Sequence, residues 1–141
     1  MVLEPIKKDT KMTSVIYASL SAFLIVWLSL NVIKKRHANK VSIGDGGNDE
    51  LKLVIATQSN AIEYIPISLL LLFALEYNKA NILILHFLGL SLIVGRLIHA
   101  KGMLSSNVKI RVLGMQITIY TIIGLAVINF AYIPYAQLFK L

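Results

Sequence analysis

An all-α integral membrane protein, folded as a bundle of four transmembrane helices, is the architecture this sequence predicts. Of the 141 residues, 57% are hydrophobic and only 15% charged, with a mean hydropathy of +0.73. A soluble domain of this size could not hide so much apolar surface in one core, and the composition is equally far from that of a disordered chain. The apolar residues also fall into four separated stretches, each near the twenty residues that cross a hydrocarbon layer of about 30 Å. The chain has no cysteine, so disulfides, thiolate metal sites and a protein thiol nucleophile are excluded. A net charge of +7 could suit a nucleic acid. In a membrane chain, basic residues more simply mark cytoplasmic loops, and no nucleic-acid partner is expected.

The first span covers residues 13–33, which contain no Asp, Glu, Lys or Arg. It follows Lys7, Lys8 and Lys11 and stops at Lys34-Lys35-Arg36. A cleaved signal peptide would have an apolar region of about 7–15 residues followed by a small-residue cleavage site. Here a basic cluster follows, which reads as a stop-transfer flank. Residues 34–50 form the longest polar stretch, and Ile43-Gly44-Asp45-Gly46-Gly47-Asn48-Asp49-Glu50 reads as a flexible loop. Neither a phosphate-cradling nor a calcium-binding pattern is complete in it.

The second span covers residues 50–77. Gln58, Ser59, Asn60 and Glu63 precede its purely apolar run, and Pro66, which removes a backbone donor, predicts a kink. A short turn, Glu76-Tyr77-Asn78-Lys79, leads to the third span at residues 80–100. In it Ser91 and Gly95 form a small-xxx-small pair that lets a neighbouring helix approach closely. A loop from Lys101 to Lys109 leads to the fourth span, residues 111–133, which Pro134 ends before a short tail carrying Lys140.

Orientation follows from counting basic residues. Four spans place Lys7, Lys8, Lys11, Lys79 and Lys140 on one side of the membrane. Lys34, Lys35, Arg36, Lys40, Lys52, Arg96, Lys101, Lys109 and Arg111 fall on the other. Nine against five puts the first and third loops in the cytoplasm and both termini outside it.

Two constellations carry chemistry. In Gln58-Ser-Asn60-Ala-Ile-Glu63-Tyr64-Ile-Pro66, Asn60 lies one helical turn before Glu63 and Tyr64. A carboxylate inside a span costs about 2.5–3.5 kcal/mol on insertion scales, so Glu63 must find a donor. That donor is either a neighbouring helix or the cationic group of a ligand. The second constellation is Arg96 and His99, one turn apart at the end of the third span, with Arg111 across the following loop. Snorkelling accounts for Lys101 and Lys109, but less readily for Arg96, which follows Gly95 within a helical run. Asn60, Glu63, Arg96 and Arg111 map to one half of the bilayer. A pocket there would suit a zwitterionic, multiply charged small molecule. His86, Trp27 and Asn129 read as packing or interhelical hydrogen-bonding residues. No zinc-binding, Walker or dinucleotide-binding pattern occurs, so metal and nucleotide cofactors are not expected.

Together, Asn60-Ala-Ile-Glu63-Tyr64-Ile-Pro66, Gly95-Arg96-Leu-Ile-His99-Ala-Lys-Gly102 and Arg111-Val-Leu-Gly114-Met115 on four spans resemble the membrane-associated proteins in eicosanoid and glutathione metabolism, the MAPEG family. The short bacterial members are the nearest in kind, and the resemblance covers roughly residues 10–135 of one transmembrane domain spanning 1–141. It implies a bacterial inner-membrane protein, a homotrimer, and glutathione bound between subunits at the cytoplasmic face. Glutathione would be a co-substrate, conjugated to an apolar electrophile arriving from the bilayer. By the same resemblance Asn60, Glu63, Tyr64 and Gln58 match glutathione-binding positions, as does Arg96. His99 falls near a glutathione-contacting tyrosine of eukaryotic members, and Arg111 matches the arginine held to activate the thiol. The sequence departs from the family at Ala56, where members usually carry an arginine, and Leu53 is apolar too. A non-catalytic scaffold or lipid-binding protein of the same fold is the alternative. A small multidrug transporter ranks third, since such proteins place their glutamate in the first helix, which is uncharged here.

Overall fold

The computed structural model describes residues 12–133 and Tyr135. The expectations resting on Lys7, Lys8, Lys11, Pro134 and Lys140 lie outside the described residues. Four helices follow one another: α1 (Thr13–Asn39), α2 (Asp49–Tyr77), α3 (Ile82–Leu104) and α4 (Val108–Tyr132). All four are long and apolar enough to cross a membrane.

Their ends are set by local chemistry that a hydropathy reading does not weigh. Asparagine caps three helix starts: Asn48 Oδ1 accepts from the Leu51 amide, Asn81 Oδ1 from Leu83 and Asn107 Oδ1 from Ile110. These bonds satisfy amides that have no partner inside the helix. Three helix ends turn through a left-handed residue, Lys40, Lys79 and Ser106, with φ of 55°, 58° and 53°. At each, the next amide reaches back five residues, as Val41 N does to Arg36 O, Ala80 N to Leu75 O and Asn107 N to Gly102 O. This is the Schellman arrangement, made here without glycine. It draws the expected loop between α3 and α4 down to Ser105–Asn107, so α3 runs past residue 100 and α4 starts before residue 111. Helix α1 likewise continues beyond residue 33 through its basic cluster to Asn39. Helix α2 passes through Pro66 unbroken.

The N-terminus of α1 has no side-chain cap of its own. Glu76, at the end of α2, fills that role from across the bundle. Its carboxylate accepts from the Thr13 amide, from the Ser14 amide at 2.9 Å and from the Ser14 hydroxyl. A carboxylate at a helix N-terminus also complements the helix dipole.

Helix α1 packs on α2 and α3, while α4 packs on α3 and α2; α1 and α4 do not touch among the described residues. The tightest seam joins α3 to α4. A Cβ on Gly102 would run into the backbone of Arg111 and Ile110. One on Gly114 would run into the backbone of His99 and the carbonyl of Gly95. Gly95 itself lies against Ile117 and Thr118. The small residues of the third span thus receive α4, and they fix His99 and Arg111 relative to each other.

The core has two parts. Tyr17, Leu72, Leu75, Leu85, Leu88 and Leu125 fill one end, and Leu24, Leu28, Ala61, Ile65 and Ala100 lie along α1, α2 and α3 toward the other. Tyr17 sits on Gly89, and its hydroxyl lies 2.8 Å from His86 Nδ1. Asn129 donates to the carbonyl of Leu71 at 2.9 Å, an α4–α2 link. Both His86 and Asn129 therefore join helices, as read from sequence. Trp27 differs: it is exposed on α1 rather than packed in the core.

Candidate functional site

Helices α1 and α2, α2 and α3, and α3 and α4 run antiparallel, so the C-terminal ends of α1 and α3 meet the N-terminal ends of α2 and α4. Helical rise puts Arg96 about 12 Å from the end of α3 and Asn60 about 16 Å from the start of α2. Arg111 sits in the first turn of α4.

Arg96 is the largest fully buried side chain, 1% exposed. Its Nη2 donates to Asn60 Oδ1 at 2.6 Å and lies 3.4 Å from His99 Nδ1. The Tyr64 ring covers the guanidinium at 5.5 Å from its centroid, within range for a cation–π attraction. Among the described residues no carboxylate pairs with Arg96, and its Nε and Nη1 find no hydrogen-bond partner. A hydrogen bond to a charged group contributes about 1.5–3 kcal/mol, comparable to the insertion cost of about 2.5–3.5 kcal/mol for an arginine in a span. The Asn60 contact is thus a main compensation for Arg96 within one chain.

A cavity of about 500 Å³ opens beside this cluster. Ala56, Asn60, His99, Met103, Arg111 and Gln116 contribute to its wall. The structure therefore brings together Asn60, Arg96 and His99 by direct contact, with Tyr64 over the guanidinium and Arg111 across the cavity. Arg96 itself lies behind the wall, and its burial leaves no surface for a ligand in this arrangement. It reaches the cavity through Asn60 and His99.

Two sequence candidates are not part of this group within the single chain. Gln58 turns the other way and donates to Ser29 Oγ of α1 at 2.8 Å. Glu63 is exposed on the outer face of α2, away from the cavity wall. Gln116 was not singled out by sequence reasoning. Its signal was available, since it is a lone amide within an apolar run and polar groups inside spans are functional candidates. Ala56, the position at which the sequence departs from the family resemblance, lies on the wall one turn before Asn60.

The MAPEG family model matches residues 14–131. Two relatives, both named inner membrane protein YecN, come from Escherichia coli K12 and from Escherichia coli O6:H1. Each is 36% identical over 130 residues, covering 92% of this chain and 99% of the relative. The inner-membrane placement read from the sequence agrees with that name. With the match running through all four helices, the chain belongs to the MAPEG family of integral membrane proteins.

Proposed function

We propose that this protein binds glutathione in the cavity beside Asn60, His99 and Arg111 and conjugates it, through its thiol sulfur, to apolar electrophiles. The observation that carries the reading is the Arg96–Asn60–His99 cluster, its arginine and histidine buried, backing a cavity that Arg111 borders. Glutathione is anionic and rich in peptide groups. A wall offering an amide, an imidazole and a guanidinium complements it.

In this reading the nucleophile is the substrate's own thiol, which is why a chain without cysteine suffices. A free thiol has a pKa of about 8.5, and a nearby guanidinium favours the thiolate. Arg111 supplies that charge. The thiolate sulfur then forms a bond to the electrophilic carbon, and the leaving group departs with its electron pair. Asn60 holds the peptide, while Arg96 is a positioning residue that fixes Asn60 and His99. Glu63 binds the amino group, which requires a second copy of the chain to bring it to the cavity. A homotrimer is the assembly proposed for that purpose.

Isothermal titration of the purified protein with glutathione tests the binding step. We expect saturable binding, weakened at least tenfold by Asn60→Ala. No binding to folded protein would remove glutathione as the ligand. The alternative is a binding protein without turnover, favoured by Ala56 on the cavity wall. Binding without thioether formation from an aryl halide electrophile would select it.

A further inference from the structure

A second concave site lies elsewhere on the same end of the bundle and shares no lining residue with the cavity above. It is a groove of about 470 Å³ between α1, α2 and α3. One wall is a stripe along α1: Trp27, Asn31, Lys34 with Lys35, then Ala38. Steps of three and four residues keep these side chains on one helix face. Val54 of α2 and Leu104 of α3 complete the groove.

The stripe is graded along the membrane normal. Trp27 is an exposed apolar ring, Asn31 a half-buried amide one turn outward, and Lys34 an exposed ammonium one turn further. Helical rise separates Trp27 from Lys34 by about 10 Å. The same order, hydrocarbon, then ester and glycerol, then phosphate, describes a phospholipid entering an interface. The charges also assort. Lys35 Nζ is paired with Glu50 at 2.5 Å, whereas Lys34 has no ion-pair partner among the described residues. The groove therefore presents one uncompensated cation at headgroup depth and no uncompensated acid. A basic side chain next to a membrane span attracts anionic headgroups.

The geometry points to a binding site for one anionic phospholipid, its phosphate on Lys34, its glycerol region beside Asn31 and an acyl chain along Trp27.

The chain contains a single tryptophan, so Trp27 reports on its own groove. The protein is reconstituted in phosphatidylcholine vesicles containing a minor fraction of brominated phosphatidylglycerol or, separately, brominated phosphatidylcholine. Trp27 fluorescence should be quenched about fivefold more effectively by the anionic lipid, the factor expected of one basic side chain near the surface. Lys34→Gln should abolish that preference and Lys34→Arg should retain it. Lys40→Gln, which removes a charge on the same end of α1 outside the groove, should leave it intact. Equal quenching by the two lipids overturns the proposal. So does equal loss in Lys34→Gln and Lys40→Gln, which would signify diffuse surface attraction. Relief of quenching by inorganic phosphate at constant ionic strength would make the free anion the ligand and overturn the lipid assignment.

Discussion

The α3–α4 seam makes a paired prediction in which one substitution has opposite effects at two positions of the same helix. Replacing glycine by alanine inside a helix contributes about 1 kcal/mol of stability through backbone propensity. At Gly124 the added methyl would find only Leu88 Cδ2, at an ordinary 3.6 Å. Gly124→Ala should therefore be neutral or stabilising by up to about 1 kcal/mol. At Gly114 the same methyl meets the backbone of His99 and the Gly95 carbonyl. Backbone has no rotamer to escape into, so the overpacking cost sits near the top of its usual range, about 3 kcal/mol. Net of propensity, Gly114→Ala should lose about 2 kcal/mol. It should also push α4 off α3 at the level of His99, misplacing Arg111 across the cavity and weakening the proposed glutathione binding. Unfolding in mixed micelles of increasing denaturing-detergent fraction, followed by helical circular dichroism, measures both variants on one scale. Equal stability of Gly114→Ala and Gly124→Ala would refute the seam as described.

Three further outcomes are expected. Glu63→Gln, in the proposed role of amino-group binding, should raise KM with kcat nearly unchanged, whereas Arg111→Met should raise the bound thiol's pKa, each unit being about 1.4 kcal/mol; an unaltered pH profile of thiolate absorbance in Arg111→Met would assign thiol activation elsewhere. Glu76→Ala should lower stability by about 1–3 kcal/mol in the same detergent titration, because the Thr13 and Ser14 amides and the Ser14 hydroxyl lose their shared acceptor, and Glu76→Gln should lose about 1 kcal/mol, the charge contribution at a helix start. Asp45→Cys should resist, and Tyr135→Cys accept, an impermeant thiol reagent in intact cells; the reverse labelling would invert the orientation counted from Lys and Arg.

The four spans, the family and the residues that gather at one end were legible because each is written in one dimension. An apolar stretch of about twenty residues has no other economical environment than a bilayer. Antiparallel helices joined by short turns must bring the polar ends of neighbouring spans together. That is why Asn60, Glu63, Arg96 and Arg111 could be grouped by position along the helices alone, although Glu63 then falls off the cavity wall.

What the sequence left open was rotation about each helix axis and the exact meeting of helix ends, and the tertiary structure decided both. Gln58 and Asn60 are two residues apart, which at 3.6 residues per turn is a rotation of about 200°. One therefore bonds to Ser29 of α1 and the other to Arg96 of α3. Glu63 shares the motif with Asn60 yet falls outside the cavity, because, three residues on, it is turned about 60° from Asn60, away from the face of α2 that buries Ala61 and Ile65. Glu76 reads in sequence as the first residue of a short turn, but the antiparallel return of the chain sets it under the start of α1. Ser91 and Gly95 announced a close helix contact without naming its partner. Only the fit of Gly102 and Gly114 against opposing backbone shows that α4 occupies it. Hydrophobicity fixes how many helices cross and in what order, because it depends on each segment alone. Which faces meet depends on the shapes of two helices at once, and that is settled only when they pack.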